Sequence, residues 1–195
     1  MNVALRPPAM TRDEFLDWAA RQERRHEFDG AGPVAMTGGT LHHNLITINI
    51  PLVLRTCLRG TSCMVFGPDA GVATVSKRVR YPDALVTAAA QAGTGRLVAD
   101  PLVVFEVVSP GSEYTDRILK VRGYAAVPTI RRYVIAEQTS MGLTVFCHAG
   151  AGQGWTANVL TAEDMLDIPE VDVRIPVREL HQGTSLPETE PDDGR

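Results

Sequence analysis

Two acids stand where the surrounding sequence is apolar. Asp83 lies between Tyr81-Pro82 and Ala84-Leu85-Val86, and 23 positions later Glu106 interrupts the run Leu102-Val103-Val104-Phe105-Glu106-Val107-Val108. A carboxylate in such a strand loses hydration and gains nothing from packing, so it should be neutralised or paired, with a metal ion as the obvious partner. Two such acids on neighbouring strands can share one divalent cation, and magnesium or manganese suits oxygen donors while keeping several waters. Lys120, on the segment after Glu106, is the candidate third member. Two carboxylates, a hard cation and a lysine are the equipment for hydrolysing a phosphodiester. The cation polarises the phosphoryl oxygen and lowers the pKa of an attacking water; the lysine orients or deprotonates that water and balances charge on the phosphate.

These residues need a scaffold. Thr11 followed by Glu14 forms a capping box with Met10 and Phe15 placed as a staple, which predicts a helix from there to about His26 or Glu27. Phe28 to Met36 reads as two short extended pieces around a Gly-rich turn. Leu41 to Leu58 carries Leu41, Leu45, Ile48 and Leu52 at helical spacing and predicts a second helix, with Pro51 inside it. Strands are expected at Cys63 to Phe66, Val72 to Val75, Ala84 to Thr87 and Leu102 to Val108. Ser109-Pro110-Gly111 breaks the chain before a helix over 112–127, with Ile118, Leu119, Val121 and Ala125 as its apolar contacts. Further strands follow at Arg132 to Ala136, Gly142 to Cys147, Trp155 to Leu160 and Val171 to Ile175. The fold class is α/β or α+β, a mixed sheet flanked by helices.

The 195 residues suit one domain, read as 11–182 between a flexible N-terminus, 1–10, and a disordered acidic tail, 183–195. Removing the last eight residues leaves 19 acids and 18 bases, so the body is near neutral and local basic clusters matter more than the total. Arg21-Arg24-Arg25, Lys77-Arg78-Arg80 and Arg131-Arg132 are such clusters, each read as a solvated face. No apolar run approaches the roughly 20 residues of a membrane helix, and the N-terminus has no signal-peptide core. Three cysteines without CxxC spacing fit reduced thiols, so the expectation is a cytoplasmic protein with no membrane association.

Pro82-Asp83, then Glu106-Val107-Val108-Ser109-Pro110, then Asp116, Lys120 and Tyr124, then Val127-Pro128 ahead of Tyr133, resemble the Uma-type family of restriction-endonuclease-like proteins, a branch of the PD-(D/E)XK nucleases. Glu27-Phe28-Asp29-Gly30 and Ala35-Met36-Thr37-Gly38-Gly39-Thr40, with His43 three residues on, are similar to that family's N-terminal signature. The likeness runs from about Thr11 to about Leu180. It implies a restriction-endonuclease-like fold and a Mg²⁺- or Mn²⁺-dependent endonuclease acting on DNA. Asp83 and Glu106 would be the metal ligands, Lys120 and Glu27 further catalytic residues. The superfamily's usual lysine position, two after the second acid, is Val108 here, and the resemblance implies its migration to Lys120. Asp116, Lys120 and Tyr124 advance only about 40° per four-residue step and so share one helix face.

Each residue also has an ordinary reading. Asp83 after proline can open a turn; Asp116 and Lys120 can form an i,i+4 ion pair; Glu27 can pair with Arg24 or Arg25; His43 can lie on a helix surface beside His42; Tyr124 can be a packing residue. The rival function is a catalytically silent nuclease-fold domain that binds nucleic acid or protein. A serine or cysteine hydrolase is the remaining rival, but the chain has no GxSxG elbow and no persuasive Cys/His pairing. A homodimer is compatible with the resemblance, although the sequence carries no interface signature.

Overall fold

The computed structural model describes residues 10–36, 38–91, 93–108, 114–148 and 154–188. Its first helix, α1 (Arg12–Ala19), starts at the expected capping box: Thr11 Oγ1 accepts from Glu14 N, and the Glu14 carboxylate accepts from Thr11 N. The helix ends well before Glu27, contrary to the sequence expectation. Phe15 must stack on Phe28, with ring centroids 5.0 Å apart, and the chain has to reverse after Ala19 to bring Phe28 back. Glu27 therefore sits on a strand, β1 (His26–Phe28), which pairs with β2 (Pro33–Ala35) around the Gly-rich turn. Asp29 Oδ1 closes that turn by accepting from Ala31 N and Gly32 N.

Next comes α2 (Leu41–Cys57), N-capped by Thr40. Its core face is Ile46, Ile50 and Leu54, all fully buried, whereas Leu41, Ile48 and Leu52 of the predicted stripe are 84%, 53% and 61% exposed. Both sets have helical spacing, so periodicity alone could not choose between them. The strands follow in order: β3 (Met64–Phe66), β4 (Val72–Ala73), β5 (Val79–Arg80), β6 (Ala84–Thr87) and β7 (Pro101–Val107). A π-helical segment, Thr115–Lys120, then runs into α3 (Val121–Ala125). The chain continues through β8 (Arg132–Ala136), β9 (Leu143–His148), β10 (Trp155–Leu160), β11 (Met165–Ile168), β12 (Val173–Pro176) and α4 (Val177–Leu180). The sequence reading has no counterpart of the short β5, β11 and α4.

The main sheet has the order β10-β9-β8-β7-β6-β3 and is antiparallel except for β7 beside β8. That parallel pair needs a crossover, and the 115–125 helical segment provides it. Side chains of β7 alternate between two cores. Val103, Phe105 and Val107 join Ile46, Ile50 and Leu54 of α2, with β11, β12 and α4 packed on the same side. Val104 and Val108 join Tyr124, Ile130 and Tyr133 on the other. A smaller sheet, β2-β1-β5-β4, carries Phe15, Phe28 and Val79 in a third cluster.

Gly183 to Glu188, assigned by the sequence reading to a disordered tail, is packed. Leu186 is buried in the α2-side core, Met141 N donates to Pro187 O, and Arg178 pairs with Glu188. Residues 1–9 and 189–195, and the chain break at Ser109 to Gly111, lie outside the described residues. Among the described residues no helix is long and apolar enough to cross a membrane.

The observed register of α2 gives a direct test. Leu54→Ala should cost about 2–5 kcal/mol in urea unfolding through the cavity it leaves, whereas Leu52→Ala should stay within about 0.5 kcal/mol. Equal losses would mean that the helix is rotated.

Candidate active site

Asp83 immediately precedes β6 and Glu106 is the penultimate residue of β7. The antiparallel register pairs Ala84 with Phe105, so Asp83 falls opposite Glu106. Leu85, Val104 and Val108 all enter the α3-side core, and by strand alternation both acids face that same side. The Asp83 carboxylate is fixed there: Oδ2 accepts from Val107 N at 2.7 Å.

Lys120 reaches them from the crossover. Its Nζ is 2.9 Å from Glu106 Oε2, 2.8 Å from Asp116 Oδ1 and 3.8 Å from Glu27 Oε1. The helical segment is inside out relative to a packing helix. Ile118 and Leu119, the expected apolar contacts, are 40% and 37% exposed, while Asp116 and Lys120 are 1% and 8% exposed. The segment is wound as a π-helix, a form that recurs at functional sites, and Asp116 and Lys120 are its buried residues. Two tyrosines secure the arrangement. Tyr124 OH donates to Glu106 Oε1 at 2.8 Å, and Tyr133 OH donates to the Asp116 carbonyl oxygen at 3.2 Å. Burial, then the Glu106 charge, raises both phenols well above their usual range, so they remain donors.

Glu27 comes in from β1, where its carboxylate accepts from Tyr81 N and pairs with Arg80. Arg80 is a site residue that the sequence reading missed. Instead of standing on a solvated face with Lys77 and Arg78, it is buried against Glu27. The available signal was its place between Val79 and Tyr81-Pro82, in a strand too short to show alternation. His43 completes the rim, with Nε2 3.9 Å from Asp83 Oδ2. The structure thus brings Glu27, Asp83, Glu106 and Lys120 together with Asp116, Tyr124 and His43. All but Tyr124 line a cleft of about 1060 Å³, whose other walls come from Gln22 to Arg25, Val34 to Met36 and Gly38-Gly39.

The electrostatics are unbalanced. Four carboxyl groups, Glu27, Asp83, Glu106 and Asp116, face two fixed cations, Lys120 and Arg80. Burial raises the Asp83 carboxyl above the usual range against the pull of the Val107 amide. Burial above all, opposed by Lys120 and aided by the charges of Asp83, Asp116 and Glu27, pushes Glu106 up to about 8. Burial works to discharge Lys120 as well, but Glu106, Glu27 and Asp116 prevail and lift it above the ordinary lysine range, so it stays an ammonium. A site with surplus carboxylates and only oxygen donors at its centre fits a hard divalent cation. Among the described residues no three His, Cys, Asp or Glu side chains form a ready-made metal cage.

Comparison with known proteins agrees with this architecture. Residues 12–178 match the family model Uma2, described as "Putative restriction endonuclease". The uncharacterized protein slr1290 of Synechocystis is 26% identical over 181 residues, covering 92% of this chain and 95% of that protein. A second uncharacterized Synechocystis protein, sll1609, is 23% identical over 168 residues, covering 84% of this chain and 94% of that protein. The crystal structure of a "putative nuclease belonging to DUF820" from Anabaena variabilis superposes with a TM-score of 0.67 at 14% identity, covering 88% of this chain and 97% of that one. At that identity the likeness establishes the fold.

A carboxyl whose folded pKa lies above its unfolded value binds the proton more tightly in the native state, so its stabilising contribution is lost as pH rises. In metal-free protein the Glu106 contribution should therefore fall between about pH 4.5 and about pH 8. Glu106→Gln should flatten that segment of the stability profile in pH-resolved urea unfolding; an unchanged slope would assign it to another group.

Proposed function

The chain belongs to the Uma2 family, and on that premise we propose that it is a metal-dependent endonuclease that hydrolyses DNA phosphodiester bonds. The observation that carries this reading is the meeting of Asp83 and Glu106 on one face of adjacent strands, with the Lys120 amine 2.9 Å from Glu106 at the base of an open cleft. Asp83 and Glu106 would hold Mg²⁺ or Mn²⁺, which when bound supplies a Lewis acid for the phosphate and a more acidic water.

The protein's own groups divide the remaining work. Lys120, kept charged by three carboxylates, is a poor base, so its part is to orient the attacking water and neutralise charge developing on the phosphate. Glu27 ties Arg80 to the site and limits the swing of the lysine. Tyr124 holds one Glu106 oxygen so that the carboxylate keeps its orientation. Arg24 and Arg25 on the cleft wall give a sugar–phosphate chain a favourable approach. The free thiols of Cys57, Cys63 and Cys147 support a reducing, cytoplasmic setting.

Purified protein assayed with magnesium and with manganese on supercoiled, linear and single-stranded DNA should cleave at least one form. Asp83→Ala and Glu106→Ala should abolish cleavage without unfolding the protein, and full activity in both would overturn the assignment. Titration calorimetry should show metal binding lost in the same two variants; a silent binding domain need not bind either metal. Lys120→Met, which keeps the length of the stem, should lower the rate by about 100-fold or more while metal binding persists.

A further inference from the structure

His43 stands at the mouth of this site with its orientation set from two sides. Thr40, the N-cap of α2, accepts from His43 N at 3.1 Å and anchors the residue in the first helical turn. On one side of the ring is Gly39: a Cβ there would lie 2.5 Å from His43 Cγ and 2.6 Å from Nδ1, inside any van der Waals separation. On the other, Thr47 Oγ1 is 3.4 Å from Nδ1. A Thr47 hydroxyl that donates to Nδ1 would leave the ring proton on Nε2. Nε2 faces the cleft, 3.9 Å from Asp83 Oδ2, which is too far for a hydrogen bond to the carboxylate. The adjacent His42 behaves as an ordinary surface histidine, its Nε2 turned to Ser185 Oγ at 3.3 Å.

A ring held between Gly39 and Thr47, with Nε2 beside Asp83 but beyond hydrogen-bond reach of it, is placed to meet something that enters the cleft. We propose that His43 is a catalytic residue that donates its Nε2–H to a non-bridging oxygen of the scissile phosphate, and that position 39 is glycine because the ring occupies the space a Cβ would need. The inference rests on the nuclease reading above and adds to it a substrate contact from α2, on the opposite side of the strands from the Lys120 helix. In this role His43 acts as a hydrogen-bond donor whose bond strengthens as charge builds on the phosphate, so its effect falls on kcat more than on KM.

The test uses the full chain and the DNA form that the wild type cleaves. His43→Ala should lower kcat about 100-fold with KM changed less than about threefold. His43→Gln, whose amide can donate but does not titrate, should recover about tenfold of that loss. Gly39→Ala should reproduce the defect of His43→Ala with an unchanged melting temperature, because it displaces the ring without removing it. A kcat within about twofold of wild type in His43→Ala, or a His43→Gln variant no better than alanine, would overturn the proposal. A second measurement does not depend on turnover. In calcium, a short oligodeoxynucleotide should shift the His43 Nε2 resonance in nitrogen-15 spectra of the wild type. A ring nitrogen left unmoved while amides near Lys120 respond would refute the contact. A wild type that cleaves no DNA at all would count against the nuclease reading, and the ring-nitrogen shift would still decide the phosphate contact.

Discussion

The constraint that shapes this molecule is the cost of holding charge out of water. Lys120 and the carboxylates of Glu106, Asp116 and Glu27 are all nearly buried, and removing such groups from solvent costs several kcal/mol per ion even after relaxation. The ion pairs recover part of that cost, but hydrophobic residues of similar volume would serve stability at least as well. The chain instead turns Ile118 and Leu119 outward and Asp116 and Lys120 inward. That exchange of apolar burial for charge gathered in a cleft is what the proposed active site draws on.

The rest of the fold makes that sacrifice bearable. Strand β7 has two jobs, one on each face. Val103, Phe105 and Val107 pack against Ile46, Ile50 and Leu54, which fastens the strand from behind with purely apolar contact. Glu106 points the other way, toward the tyrosines and Lys120. Because the side-chain period of a strand is two, a register slip of one residue would exchange these faces. Such a slip would bury the acid among leucines and isoleucines. The packed side of the sheet therefore enforces the chemistry of the other, and the β6–β7 ladder carries the same discipline to Asp83.

How much of this was legible in the sequence depended on whether local pattern or tertiary context decided the outcome. Glu106 was a candidate because an acid is conspicuous among six apolar neighbours, and Lys120 because it follows that strand and the family resemblance points to it. The capping box fixed the start of α1, but its end is set by the Phe15–Phe28 stack, a contact that no local rule contains. The α2 stripe was misplaced for the same reason. Leu41, Leu45, Ile48 and Leu52 satisfy helical periodicity as well as Ile46, Ile50 and Leu54, and only the position of the sheet distinguishes them. Arg80 was hidden because a two-residue strand has no pattern, and its burial follows from Glu27 arriving on β1 rather than on a helix.

Val108 is where these arguments meet. It shares a strand face with Glu106, and a lysine there would reach the site directly from the strand. In this chain that position is apolar and packs with Tyr124 and Tyr133. A strand-borne lysine would take its geometry from the ladder alone. Lys120 takes it from the seating of the crossover helix on the sheet, through the bonds of Tyr124 to Glu106 and of Tyr133 to the Asp116 carbonyl. Replacing Val108 by lysine would displace the tyrosine cluster that holds those bonds, so the two solutions exclude one another. With Lys120 on the helix, the apolar residue at 108 belongs to the packing that seats α3 on β7 and β8, and that seating is tied to the geometry around Glu106.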